Sequence, residues 1–127
     1  MTGLLDAHGL VWWLTDDRRL SRRAHACIRD PATRILVSAA TVWEIAIKVA
    51  QGRLTMPIEP SRLREVIVAE RMIPVAIEFE HVLAAAVLPA IHRDPFDRLI
   101  VAQAQALGTP IITGDPIIAR YDVETIW

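Results

Sequence analysis

The sequence predicts an α/β fold, with a central parallel sheet of about four to five strands and helices on both faces. Short, continuous apolar runs alternate along the chain with longer segments whose apolar residues recur at helical spacing. Strands that are buried on both faces of a parallel sheet have this uninterrupted apolar character. The chain has 127 residues, of which 53% are hydrophobic and 23% charged. That suffices for one core but not for two, so we expect a single domain over residues 1–127.

The first strand and the two helices after it are delimited by polar residues and proline. Residues 2–5 form a short strand that ends at Asp6, which is placed to cap a helix over residues 7–14. A second helix, over residues 21–29, ends before Pro31. An acidic side chain therefore stands directly after the first predicted strand.

The middle of the chain repeats the alternation of strand and helix. The apolar run at residues 35–37 predicts a second strand, followed by a helix over residues 38–51 that Gly52 ends. After a proline-containing loop, a helix over residues 61–70 leads to a third strand at residues 73–75. Each strand is thus followed by a helix long enough to cross back over the sheet.

The last third contains the most apolar helix. A helix over residues 78–87 is ended by Pro89. Asp94 and Pro95 have the residue types of an N-cap and a first helical position, and from Leu99 onward the segment is apolar on all sides, as in a buried helix. The remaining predicted elements are a strand at residues 110–113, a helical turn from Asp115 and a strand at residues 124–127.

Charge and cysteine content limit the classes of partner and compartment. The net charge is −1, so overall charge gives no indication of a nucleic-acid partner. The arginines within residues 18–29 are more typical of a solvated face than of a phosphate site. The single cysteine, Cys27, excludes an internal disulfide and suits a reducing compartment. With no signal peptide and no bilayer-spanning run evident, we expect a cytoplasmic protein without a membrane partner.

Four acidic residues, Asp6, Glu44, Asp97 and Asp115, lie near the ends of predicted elements. Each has a purely structural interpretation. Asp6 and Asp115 are placed to cap helices, and Asp97 complements the positive end of its helix. Glu44 belongs to a polar stripe and stands four residues before Lys48, which is typical of an ion pair on an exposed helix face.

If the four carboxylates converge, their chemistry is constrained. Ionised carboxylates crowd together only with a cation, because like charges raise one another's pKa. The four histidines are scattered and show no zinc spacing. Oxygen-only ligands favour Mg²⁺ or Mn²⁺, and such ions support water attack on phosphodiesters. The chain has no glycine-rich phosphate loop.

Four segments in the same order resemble the PIN-domain ribonuclease toxins of VapC type. They are Leu-Leu-Asp-Ala-His at 4–8, Ser-Ala-Ala-Thr-Val-Trp-Glu-Ile-Ala-Ile-Lys at 38–48, His-Arg-Asp-Pro-Phe-Asp-Arg-Leu at 92–99 and Ile-Thr-Gly-Asp-Pro at 112–116. The resemblance covers essentially the whole chain. It implies a three-layer α/β/α fold and an Mg²⁺- or Mn²⁺-dependent endoribonuclease. It also implies a cognate VapB-like antitoxin, a toxin homodimer and a higher toxin–antitoxin complex.

The resemblance also implies roles for individual residues. The acidic quartet that would hold the metal and carry catalysis is Asp6, Glu44, Asp97 and Asp115. Supporting or substrate-contacting roles fall to Asp94, Lys48, Arg93, Arg98 and Thr113. One position departs from the wider family, where Ser, Thr or Asn often stands two residues after the first aspartate. Here that residue is His8.

Two other functions are compatible with parts of the pattern. A receiver-like signalling domain also has acids at strand ends, but it needs a lysine after a late strand, and Lys48 lies in a helix. A PIN-fold protein-binding module without nuclease activity would not need all four acids. Trp12 and Trp13 are candidates either for core packing or for an exposed apolar interface.

Overall fold

A five-stranded parallel sheet forms the centre of the computed structural model, which describes residues 1–127. The strands are β1 (Thr2–Leu5), β2 (Arg34–Ser38), β3 (Ile73–Val75), β4 (Ile111–Ile112) and β5 (Thr125–Ile126). Their order across the sheet is β3-β2-β1-β4-β5, and every neighbouring pair is parallel. The predicted strands and their parallel arrangement are confirmed, although β4 and β5 are shorter than predicted.

Six helices surround the sheet. They are α1 (Ala7–Leu14), α2 (Arg22–Arg29), α3 (Ala39–Ala50), α4 (Leu63–Ala69), α5 (Phe79–Ala86) and α6 (Pro95–Leu107). Single 3₁₀ turns cover Pro60–Arg62 and Ile118–Arg120. None of the helices has the length and apolar character needed to cross a membrane.

Two predicted helices start later than expected. The helix predicted from residue 61 begins as the 3₁₀ turn at Pro60–Arg62 and becomes α-helical only at Leu63. The turn predicted from Asp115 becomes helical only at Ile118, and the Asp115 side chain accepts from the Ile117 N–H at 2.8 Å just before it. Both differences lie at element ends, where boundaries depend on single hydrogen bonds.

The central strands are covered on both faces. Neighbouring residues of β1 point to opposite sides, so Leu4 packs with Leu36 and Ile111, whereas Leu5 packs with the core that contains α1 and α2. Both leucines are fully buried. Residues of α6 fill the other core. The three-layer arrangement implied by the resemblance is confirmed.

Side-chain caps fix the starts of several helices. Ser21 Oγ accepts from the Ala24 N–H at 3.0 Å, and Ser38 Oγ accepts from the Ala40 N–H at 3.0 Å. Asp94 Oδ1 accepts from two backbone N–H groups at the start of α6, at 2.9 and 3.1 Å. At the other end of α6, Gly108 adopts a left-handed conformation with φ 62°, which glycine tolerates without strain.

The direction of α6 brings its first turn to the edge of the sheet where the strands end. The helix finishes at Leu107 and β4 begins at Ile111, so the short connection reverses the chain. Because β4 runs parallel to β1, the start of α6 lies beside the carboxyl ends of the strands. This edge is where ligand sites of open parallel sheets are found.

Candidate active site

The four acids predicted from the sequence lie along this edge. Asp6 follows β1, Glu44 lies in α3 after β2, Asp97 lies in the first turn of α6, and Asp115 follows β4. Their charges act on one another. Burial raises the pKa of Asp97 to about 6, and the neighbouring carboxylates of Asp94, Glu44 and Asp115 add to this rise. Asp115 also raises the pKa of Asp6.

Asp6 is held rigidly at the end of β1. Its side chain is 4% exposed, and burial is the main reason why its pKa is raised. Oδ1 accepts from the Gly9 N–H at 2.7 Å, and Oδ2 accepts from the Thr113 hydroxyl at 2.5 Å. Both contacts, together with nearby His8, favour the ionised form and so oppose the effect of burial. Asp6 is therefore both a helix cap and a member of the acidic cluster.

Glu44 is buried, which corrects the interpretation of its helix face as exposed surface. Its residue exposure is 6%, and Oε2 accepts from Lys48 Nζ at 2.5 Å. Thr41, one turn earlier on the same face, is 1% exposed, and its hydroxyl has no hydrogen-bond partner. The spacing to Lys48 correctly indicated an ion pair, but periodicity alone does not distinguish a face in bulk water from one lining a cleft.

Asp97 is bound to a histidine that the sequence analysis did not single out. His92 Nε2 lies 3.1 Å from Asp97 Oδ2, and both side chains are largely buried, at 16% and 17% exposure. His92 stands five residues before Asp97 and two before the cap of α6. This closeness in sequence is the signal that could have identified it as a partner of Asp97. The second oxygen of Asp97 has no protein partner among the hydrogen bonds of the site.

Asp115 and Thr113 connect the end of β4 to Asp6. The Thr113 hydroxyl donates to Asp6 and accepts from the Asp115 N–H at 3.1 Å. Asp115 Oδ1 in turn accepts from the Ile117 N–H at 2.8 Å. Thr113 therefore positions two of the four acids at once.

The remaining residues predicted to support the site have different surroundings. Asp94 caps α6, where its charge raises the pKa of Asp97. Lys48 is bound to Glu44. Arg93 is exposed beside the start of α6. The Arg98 guanidinium is occupied within the protein, where it donates to three backbone carbonyls and to the Tyr121 hydroxyl.

Two adjoining cavities, of about 230 and 380 Å³, flank the acids. They share His8, Trp12 and Arg19, with Glu44 lining one cavity and Asp6 and Asp115 the other. Lys48 and Arg53 also line the first cavity, and Trp127 lines the second. We call the combined depression the groove. It places aromatic rings and positive charges beside the acidic cluster.

Stacked side chains form one wall of the groove. The His8 ring stacks on Trp12 with centroids 5.3 Å apart and an interplanar angle of 18°. The Arg19 guanidinium lies 5.0 Å from the Trp12 ring centroid. Trp12 and Trp13 are half-buried against the core, which favours packing over a free interface for these two residues. The two most exposed large apolar side chains, Phe79 and Val87, lie elsewhere, at the start of α5 and directly after its end.

The chemistry of this cluster fits a hard divalent cation. In this arrangement no three acidic, histidine or cysteine side chains are placed so that they could together hold a metal ion. Mg²⁺, however, typically takes only one or two protein carboxylates and keeps several waters. The free Asp97 oxygen and the unpartnered Thr41 hydroxyl could act as oxygen ligands for such a cation, and both lie on helices that carry the acids. A cation would also relieve the mutual repulsion that raises the pKa of Asp97.

Comparison with known proteins gives one sequence family and one fold. The family model described as "PIN domain" matches residues 3–124. The chain is 34% identical over 116 residues to Ribonuclease VapC22 of Mycobacterium tuberculosis, a match that covers 90% of this chain and 87% of that protein.

Solved structures with the same fold come from toxin–antitoxin complexes. VapBC2 from Rickettsia felis, bound to a DNA fragment from its promoter, has a TM-score of 0.69 at 13% identity, over 98% of this chain and 97% of that one. A toxin–antitoxin complex from Klebsiella pneumoniae has a TM-score of 0.62 at 18% identity, over 89% of this chain and 86% of that one. At these identities the likeness is one of fold.

Proposed function

This chain belongs to the PIN-domain family, and we propose that it is an Mg²⁺- or Mn²⁺-dependent endoribonuclease, the toxin of a type II toxin–antitoxin pair. The observation that supports the proposal is the electrostatic coupling of the acids at the carboxyl edge of the sheet, where Glu44 and Asp115 raise the pKa of Asp97 and Asp115 raises that of Asp6. Its relative VapC22 is named as a ribonuclease. We propose that the protein acts in the cytoplasm, where RNA and a reduced Cys27 are both expected.

Asp97 and Asp6 are the principal candidates for holding the ion, with Glu44 and Asp115 completing the site directly or through water. When bound, such an ion lowers the pKa of water and neutralises charge on phosphate. The protein's own contribution is placement. Thr113 and Gly9 fix Asp6, and Lys48 fixes Glu44, so the carboxylates meet an ion without reorganising.

The groove provides for a single-stranded polynucleotide. Backbone phosphates are attracted by cations, and unpaired bases stack on flat side chains. Arg53 supplies a positive charge in the groove, beside Arg19 and Lys48, whose charges are paired with Asp17 and Glu44. Exposed His8 supplies a flat ring backed by Trp12. This local distribution explains how a protein of net charge −1 can bind RNA.

The cleavage test uses purified protein and a panel of structured RNAs with Mn²⁺ or Mg²⁺. We expect cleavage that requires the ion, is removed by a chelator, and falls by roughly 100-fold or more in Asp6→Asn, since metal-site interactions are worth several kcal/mol. Val68→Ala, on the exposed side of α4, is the control and should cleave normally. Wild-type protein that binds Mn²⁺ but cleaves no RNA would instead favour a protein-binding module.

A second prediction concerns His8. In an Asp97→Asn background, which prevents cleavage, His8→Ala should weaken the binding of a labelled single-stranded RNA by roughly 5- to 150-fold, because stacking is worth ~1–3 kcal/mol per base. His8→Phe retains a flat ring and should bind nearly as well as histidine. Fluorescence anisotropy measures both. Equal binding by the alanine and phenylalanine variants would contradict a stacking role.

We further propose that a cognate VapB-like antitoxin covers the acidic edge and that the toxin forms a homodimer within a higher complex. The surface available for pairing of copies is α5. Its outward face carries Phe79, Val82 and Leu83, and Val87 follows directly after it; they are 82%, 50%, 63% and 82% exposed. An apolar stripe of this kind at helical spacing is typical of an interface.

The dimer prediction is tested by sedimentation. Phe79→Glu combined with Leu83→Arg should yield a monomer at concentrations where the wild-type protein sediments as a dimer, because both charges would be desolvated in the interface. Val68→Glu on α4, also an exposed apolar position, should leave the dimer intact. A wild-type protein that is monomeric at high concentration would refute the assignment of α5.

A further inference from the structure

A chain of side-chain hydrogen bonds leads from Arg98 to the acidic cluster. Arg98 Nη1 lies 3.3 Å from the Tyr121 hydroxyl, which lies 2.7 Å from His92 Nδ1. His92 Nε2 then lies 3.1 Å from Asp97 Oδ2. Tyr121 is 4% exposed, so its hydroxyl depends on these partners. We call these four side chains the relay.

The other contacts of Arg98 fix the backbone that carries His92. Its guanidinium donates at 2.8–3.0 Å to the carbonyls of Pro89, Ala85 and Leu88. These carbonyls lie at the end of α5 and in the turn before His92. Arg98 directly follows Asp97 in α6. Its hydrogen bonds therefore connect the segment between α5 and α6, which carries His92, to the helix that carries Asp97.

The two end groups of the relay, the Arg98 guanidinium and the Asp97 carboxylate, determine which partner donates in each hydrogen bond. A guanidinium only donates, so the Tyr121 oxygen accepts from Arg98 and keeps its own proton for another acceptor. That acceptor is His92 Nδ1. An ionised carboxylate only accepts, so His92 Nε2 must carry a proton toward Asp97. A neutral histidine satisfies both contacts only as the tautomer protonated at Nε2.

We propose that His92 is a positioning residue for Asp97, held in its Nε2-protonated tautomer by Tyr121 and Arg98. In this form it occupies one oxygen of the Asp97 carboxylate and presents the other to a divalent cation. The proposal rests on the metal site of the proposed function and assigns it residues outside the acidic quartet. Side chains that orient metal ligands in this way commonly change metal affinity by ~10–100-fold when they are replaced.

The first experiment measures the tautomer in cation-free protein, independently of activity. Histidine labelled with nitrogen-15 is observed by NMR at pH 8, and His92 is assigned from the signals lost in His92→Gln. We expect a protonated Nε2 and an unprotonated Nδ1. A proton on Nδ1, a doubly protonated ring, or a mixture of the two neutral tautomers overturns the relay.

The second experiment measures Mn²⁺ affinity by calorimetry at the same pH. His92→Leu should bind Mn²⁺ roughly 10- to 100-fold more weakly than wild type. His92→Gln, whose amide nitrogen can donate where Nε2 does, should recover most of this loss. Tyr121→Phe, which frees the ring but keeps the apolar packing, should weaken binding by about 3- to 10-fold, the worth of one hydrogen bond.

The control is His25→Gln, because His25 lies against Trp13 and away from the acids. Thermal melts confirm that each variant is folded. If His92→Leu binds Mn²⁺ like wild type, or if glutamine recovers no affinity, His92 does not position Asp97, even where the wild-type protein cleaves RNA. If the wild-type protein binds no Mn²⁺, the proposed function fails at its metal site and the positioning role falls with it.

Discussion

Replacing Asp97 with asparagine is expected to abolish RNA cleavage and, in the same protein, to raise the stability of the metal-free fold. Cleavage should fall by roughly 100-fold or more, because a neutral amide is a poor ligand for a hard cation and does not balance its charge. Stability should rise because the amide carries no charge to bury. A single substitution is thus expected to lower the activity and raise the stability of the fold.

The sign of the stability change follows from the pKa of Asp97, which is about 6 in the folded protein, mainly because of burial. An exposed aspartate in the unfolded chain titrates near 3.9, so the folded state holds the proton more tightly. The ionised carboxylate therefore destabilises the fold fully above about pH 7, and the cost disappears as the pH falls through 6 toward 4.

The expected gain for Asp97→Asn without metal is about 1–2 kcal/mol at pH 7.5, a figure reduced for the partial solvent exposure of the side chain. Urea unfolding in the presence of a chelator measures the gain, which should be largely lost at pH 4.5. Asp94→Asn keeps the cap of α6 and serves as the matched control, with a smaller gain. If Asp97→Asn is less stable than wild type at pH 7.5, the ionised Asp97 carboxylate does not destabilise the fold.

Replacing Gly9 with alanine is expected to destabilise the protein by about 1–3 kcal/mol and to weaken Mn²⁺ binding at least tenfold. A Cβ at this position would lie 2.6 Å from Leu5 Cδ1 and 2.9 Å from Asp6 Oδ1. Leu5 is fully buried in β1 and cannot yield, so the strain falls on the Asp6 carboxylate. Alanine is otherwise the better helix former, which makes a loss of stability diagnostic of the clash.

The control for Gly9 is Gly108→Ala at the far end of α6. Nothing lies within 4 Å of a Cβ there, but φ is 62°, so alanine should cost about 1 kcal/mol through backbone strain alone. Its Mn²⁺ affinity should equal that of wild type. Thermal unfolding and calorimetry on both variants distinguish displacement of Asp6 from general loss of stability. Unchanged Mn²⁺ affinity in Gly9→Ala would show that Asp6 tolerates the shift.

Local chemistry in the sequence was sufficient for most of the fold. Asp6 and Asp94 cap the helices for which the sequence proposes them, and the apolar runs form the strands of a parallel sheet. These features depend on neighbours in the chain or on burial alone, so a linear pattern encodes them. The α-helix near residue 60 and the 3₁₀ turn near residue 115 begin a few residues later than the sequence predicts.

The site was less accessible to sequence reasoning, because its key contacts join distant segments. Periodicity placed Glu44 on a polar stripe but could not show that this stripe faces a cleft. His92 and Tyr121 are 29 residues apart, and no local pattern indicates that they meet. Capping and acid clustering were treated as competing roles for Asp6, whereas its carboxylate caps α1 and belongs to the acidic cluster as well.

The bond between Thr113 and Asp6 joins residues 107 positions apart, and it has a consequence for how the protein is made. β1 lies in the middle of the sheet, and its neighbour β4 comes from a segment translated much later. A nascent chain that does not yet include Thr113, or a fragment released before it, lacks the hydroxyl that holds Asp6 and the carboxylate of Asp115. RNA-cleaving activity would then arise only after Asp115 has been translated and β4 has paired with β1.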